Sequence, residues 1–169
     1  MSEIDAQMRA VRALAAALEL PDQPHAAFAY ADAVCRALIG HRLFTLLIYD
    51  EVAGEVTRIY TSHPRQYPVS GRKAMRDTPW GRHVIHGRQP YLGRSAADIR
   101  WAFPDYALVA SLGCGAVINL PVVYDGRLLG TVNLLDAEGA YEERHLELVR
   151  PLAALLVPGF LSEITAARS

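Results

Sequence analysis

An Asp-Gly pair at 125–126 separates two apolar, β-rich runs, AVINLPVVY over 116–124 and LLGTVNLL over 128–135. A two-residue loop of this kind takes a type I′ turn, because both central residues must adopt positive φ. The stretch Leu112–Asp136 is therefore predicted to be a hairpin in which Tyr124 faces Arg127, and every other pair follows from that one. On strict alternation, Val117, Asn119, Pro121, Leu128, Val132 and Leu134 share one face. Ile118, Leu120, Val122, Leu129, Asn133 and Leu135 share the other. Both faces are largely apolar, so the hairpin must be covered on both sides and belongs at the centre of a layered fold.

The rest of the chain supplies the covers. Ser2–Leu20 has helical spacing, with Ile4, Met8, Val11, Ala15 and Leu18 forming a heptad-like stripe able to pack on a neighbour or on a second copy. A second helix is expected over Pro24–Ile39, burying Phe28, Ala31, Cys35 and Leu38 and stopping at Gly40. Leu43–Tyr49 and Glu55–Thr61 are predicted strands. Ser62–Arg76 is polar and reads as a long loop of the kind that forms lids or binding segments. Thr78-Pro79 caps a short helix ending at Gly87, and Gln89–Gly93 is a short strand or extended link. Ser95 caps a helix over Ala96–Phe103, and Pro104 opens another that ends near Gly113. The final helix, Glu142–Arg168, should kink or break at Pro151 and at Pro158-Gly159. This order gives an α+β fold with a central antiparallel sheet and terminal helices on one face. The expected organisation is a dimerisation helix over 1–20 and one domain over 21–169.

A chain of 169 residues, 51% hydrophobic and 21% charged, is ordinary for a soluble globular protein. No apolar run approaches the roughly 20 residues needed to span a bilayer, no basic n-region opens the chain, and two cysteines make no disulfide framework or metal spacing. A cytoplasmic location, without membrane, is expected. Residues 58–100 hold nine Arg or Lys against Asp77 and Asp98, whereas each flanking region is acidic in balance. This asymmetry marks a surface or pocket for anions. Nucleic acid is not an expected partner, because the net charge is −1 and no basic-aromatic stripe lies on one strand.

Taken together, a strand hairpin, a variable middle and a second hairpin of the form IxLPVxxDGxxxGTxNLL resemble a GAF domain. The residues concerned are Ile118, Leu120, Pro121, Val122, Asp125, Gly126, Gly130, Thr131 and Asn133, with the helix Glu142–Leu156 after them. The resemblance covers about residues 20–160. It implies a GAF/PAS-like sheet, a loop and short-helix pocket segment opposite the terminal helices, small-molecule binding between that segment and the sheet, and a homodimer through the terminal helices in signalling. The Asn–Lys–Phe–Asp–Glu set of cyclic-nucleotide binders is not traceable here. Cys114 is followed by Gly115 and not by the histidine usual in bilin-binding members, and the several pocket cysteines of sulfoxide-reducing members are absent.

The candidate site residues follow from chemistry and from this resemblance. Arg94 and Arg100 suit bidentate contact with a carboxylate or phosphate. Trp80, Tyr91, Trp101 and Tyr106 are candidate aromatic walls, with Phe44 and Tyr60 from the first hairpin. Asn119 and Asn133 are amides in apolar strands and must find partners, whether backbone or ligand. Cys114 is a buried thiol or a nucleophile. His83 and His86 share a helix face without a third metal ligand, so no metal is expected. The leading expectation is a non-enzymatic sensory domain for a small anionic or aromatic metabolite, of unspecified cofactor. The alternatives are a thiol-dependent reductase using Cys114 and a pure interaction module.

Overall fold

The computed structural model describes residues 1–169. Two helices, α1 (Glu3–Ala17) and α2 (His25–Leu38), precede the strands β1 (Leu43–Asp50) and β2 (Glu55–Thr61). A middle segment holds β3 (Lys73–Ala74), the single turn α3 (Pro79–Gly81) running into a π-helical turn at Arg82–His86, β4 (Tyr91–Gly93), α4 (Ala96–Ala102) and α5 (Tyr106–Ser111). The hairpin β5 (Ala116–Tyr124) and β6 (Arg127–Asp136) follows, and α6 (Glu143–Leu155) and α7 (Val157–Ala167) close the chain. The six strands form one antiparallel sheet in the order β3-β2-β1-β6-β5-β4, so the predicted hairpin does lie at its centre.

One sheet face packs on the terminal helices. Phe44, Leu46 and Ile48 of β1, Ile118, Leu120 and Val122 of β5, and Val132 and Leu134 of β6 meet Leu14, Phe28, Val149, Leu152 and Phe160 in the main core. The opposite face is covered by the middle segment in two smaller clusters, one around Leu43, Ile99, Val109, Val117 and Leu135 and one around Trp80, Val84, Ile85 and Leu128.

The hairpin register differs from strict alternation. Tyr124 faces Arg127 and Val123 faces Leu128, but a bulge follows and Val122 faces Gly130. Leu129 is the extra residue, so from Gly130 onward β6 is shifted by one position. Asn119 and Asn133, assigned to opposite faces by alternation, are directly paired on the same face. Gly130 permits the close approach of β1, since a Cβ there would overlap the Leu47 carbonyl.

The C-terminal helix breaks once, not twice. α6 continues through Pro151, and the axis turns by 55° between Leu155 and Val157, with Pro158 in the first turn of α7. Pro151 has no N–H for the carbonyl of Glu147 one turn back. That carbonyl instead accepts a hydrogen bond from Gln7 Nε2 of α1 at 3.1 Å, and Leu148 O accepts from the same nitrogen at 3.1 Å. At the bend, a Cβ on Gly159 would lie 2.6 Å from Phe28 Cε1, so glycine lets α7 seat on α2. No single helix is long and apolar enough to cross a membrane.

Candidate functional site

Between the sheet and the middle segment runs a row of buried polar side chains. Thr45, Asn133 and Asn119 lie side by side on β1, β6 and β5, all below 5% exposed. Asn133 Nδ2 donates to Thr45 Oγ1 at 3.2 Å, Asn119 Nδ2 donates to Asn133 Oδ1 at 2.7 Å, and Trp80 Nε1 donates to Asn119 Oδ1 at 3.0 Å. The chain thus carries one hydrogen-bonded line from β1 through the central hairpin to α3. Beside it, the hydroxyl of Thr131 is buried and has no partner. An unpaired buried hydroxyl costs free energy, and here the protein leaves its hydrogen-bonding capacity unfilled.

Thr78 places the indole. Its hydroxyl accepts from Gly81 N at 3.0 Å, and Pro79 occupies the first helical position, so Trp80 turns inward. Trp80 is 5% exposed and packs on Phe103, with ring centroids 5.7 Å apart. The predicted lid loop, Ser62–Arg76, contains the short edge strand β3, and its 62–72 part is strapped over the neighbouring cluster. Arg58 stacks its guanidinium 3.7 Å from the Tyr67 ring centroid, Tyr67 Oη donates to Asp105 Oδ2 at 2.7 Å, and Arg58 Nη1 donates to Pro68 O at 2.6 Å. Arg58 Nε is buried without a partner. Burial and the hydrogen bond to Asp105 both push the Tyr67 phenol far above its ordinary range, so it remains a donor.

The sequence-derived candidates separate into groups. Trp80, Asn119 and Asn133 come together, and Tyr91 adjoins them through the Phe103 cluster. Phe44 and Tyr60 lie on the helix-facing side of the sheet, packed on Phe28, and fall outside the group. Trp101 is 47% exposed and stacks on Tyr91 at 5.2 Å, so it does not close the site. Arg94 and Arg100 are exposed, and Arg100 sits over Tyr106 at 5.3 Å. Arg58, Thr45 and Thr131 were not among the sequence-derived site candidates, although Thr131 belongs to the hairpin motif. Threonines are unmarked in strands, and nothing local distinguishes Arg58 from the other basic residues.

Cys114 is buried among Leu43, Val109 and Leu135. Burial, aided by Asp136, pushes its thiol up to about 11. A thiol so raised is protonated near neutrality and is a poor nucleophile. His83 Nε2 donates to Pro90 O at 3.0 Å and packs edge-on to Tyr91, so its ring is engaged away from Cys114.

A sequence profile of the GAF domain matches residues 10–157. The chain belongs to the GAF domain family. No curated protein sequence matches it. Among solved structures, the GAF domain of a phosphoenolpyruvate-protein phosphotransferase (ptsP) from Coxiella burnetii is similar, at 17% identity, covering 99% of this chain and 97% of that one with a TM-score of 0.73. The A. aeolicus nlh2 GAF domain in an inactive state shares 10% identity over 96% of this chain and 99% of that one, TM-score 0.71. A free methionine-R-sulfoxide reductase from Neisseria meningitidis, solved with its substrate, shares 16% identity over 97% and 93%, TM-score 0.64. At these identities the likeness shows the fold. GAF domains are a family of small-molecule-binding sensory domains, generally regulatory and not catalytic. In this GAF domain, the row Thr45–Asn133–Asn119 and the Trp80 segment occupy the layer between the sheet and the middle segment.

Proposed function

We propose that this GAF domain is a homodimeric sensory domain that binds a small anionic or aromatic metabolite between the sheet and the middle segment. The observation that carries the reading is the unpartnered Thr131 hydroxyl beside the Asn119–Asn133 row, in a layer otherwise apolar. A ligand there would take hydrogen bonds from Thr131 and the two amides, and would displace or stack on Trp80. Arg58, with its unpaired Nε, is the basic group best situated to meet a negative charge on that side of the sheet. Arg94 and Arg100, with Tyr91, Trp101 and Tyr106, would form the outer approach.

The packing of Trp80 supports a second reading, in which the interior is permanently filled and the protein is an interaction module. Native mass spectrometry of the purified protein for a co-purified small molecule, followed by thermal-shift screening of anionic and aromatic metabolites, separates the two. The sensory reading expects a ligand whose binding quenches or shifts Trp80 fluorescence and is weakened about tenfold or more by Asn133→Leu. Repeated absence of any thermal shift, with Trp80 fluorescence unchanged, would leave the interaction module standing. The high Cys114 thiol counts against the reductase alternative, for which Cys114→Ser should abolish sulfoxide turnover.

A further inference from the structure

A second place in the fold has the makings of an anion site, on the other side of the sheet's β5 edge. β4 covers β5 only along Val117–Asn119. Past that point, Leu120–Val123 and the small side chains of Ala153 and Ala154 on α6 enclose a cavity of about 250 Å³. Arg88 and Arg150 line the same cavity and are the charged groups in it. Arg150 makes one exposed ion pair, its Nη1 donating to Glu147 Oε1 at 3.4 Å. Arg88 forms no ion pair.

The backbone at Arg88 is an independent observation. Its φ is +53°, a region that glycine occupies freely and that a residue with a Cβ enters at a cost. The π-helical turn holds it there from both sides. Gly87 N donates to Arg82 O at 2.8 Å and Gln89 N donates to His83 O at 3.2 Å. Glycine would satisfy that backbone without strain. The chain instead places a guanidinium with no ion pair at this position, facing a cavity whose other arginine has a single, solvent-exposed carboxylate partner.

We infer that this groove binds a small organic dianion, carrying carboxylate or phosphate groups, between Arg88 and Arg150. Its volume lies below the roughly 300–1,000 Å³ of drug-sized pockets, which sets the scale of the ligand. Two guanidiniums favour a doubly charged partner, and the short apolar walls of Val122, Ala153 and Ala154 accept a short carbon body. An added peptide strand is a poorer occupant, because Pro121 interrupts this edge with a residue that has no N–H. The site is distinct from the layer beneath Trp80.

Succinate and inorganic phosphate are suitable probes, titrated by calorimetry and by amide chemical-shift mapping on the full chain. The expected result is saturable binding of succinate with shifts at Arg88, Val122, Val123 and Ala154. Arg88→Gln and Arg150→Gln should each weaken it about tenfold or more, and Ala154→Trp should block it without altering charge. Arg65→Gln, in the exposed 62–72 loop, should leave it unchanged. Equal weakening by Arg65→Gln would mean general charge screening and overturn the site. So would shifts confined to Trp80, Asn119 and Thr131, or no saturable binding of either probe.

Discussion

The Asp32 carboxylate is held between a histidine and a phenol at the back of the helical layer. His41 Nε2 lies 2.9 Å from Asp32 Oδ1, and Tyr60 Oη donates to Oδ2 at 2.7 Å. Burial pulls the carboxyl upward, but the hydrogen bonds from His41 and Tyr60 outweigh it, so Asp32 titrates below its ordinary value of 3.8. A depressed native value means the unfolded chain binds the proton more readily. The stability Asp32 contributes is complete above its unfolded value and is lost as pH falls through the native one. Asp32→Asn should lower stability at neutral pH by about 1–3 kcal/mol and flatten the loss below about pH 4, read from denaturant midpoints against pH. An unchanged slope would remove Asp32 from the acid response. Burial also raises the neighbouring Cys35 thiol to about 12, so it contributes nothing to this titration.

At the scale of elements, the decisive unit is the bulged hairpin. Gly130→Ala is expected to destabilise the protein by about 3 kcal/mol or more, because the Leu47 backbone, not a movable side chain, blocks the new methyl. Circular dichroism melts would check this, and a near-neutral effect would mean that β1 can retreat from β6. Much of the element pattern is legible in the sequence. β2 begins and ends where its alternation and flanking turn place it, and Thr78-Pro79 and Ser95 cap the helices they announce. The bulge was not legible, since Leu128 and Leu129 are equally apolar and either can be the extra residue. The same symmetry misdirected Phe44 and Tyr60. β1 is apolar on both faces, so Phe44 does not declare its side, and Tyr60 on β2 takes its side from pairing with Leu46 of β1. The register of Thr45 with Asn133 is needed to decide both. The amides of the site stood out because they are polar in apolar strands, but their mutual pairing depended on a slip of one residue.

For the whole molecule, the terminal helices form one layer and leave a stripe of α1 uncovered. Ala10, Leu14 and Ala17 face the core, while Ile4 is 73% and Met8 49% exposed. Exposed apolar side chains at helical spacing offer a surface on which a second copy could pack. If the homodimer forms there, Ile4→Glu combined with Met8→Glu should convert it to a monomer with an unchanged far-ultraviolet spectrum, as read by analytical ultracentrifugation. A wild-type protein already monomeric at micromolar concentration would refute the interface. The bond from Gln7 to the carbonyl that Pro151 frees carries a further consequence, for where the domain can be cut. The family match begins at residue 10 and stops at 157. Trimming the chain to those limits would remove Gln7 and leave the Glu147 carbonyl open in the middle of a helix more than a hundred residues away. It would also remove Phe160 from the core. The boundary of the family match is thus narrower than the set of contacts that closes this chain's helical layer. A chain cut to 10–157 should melt at a lower temperature than the full one, read by circular dichroism.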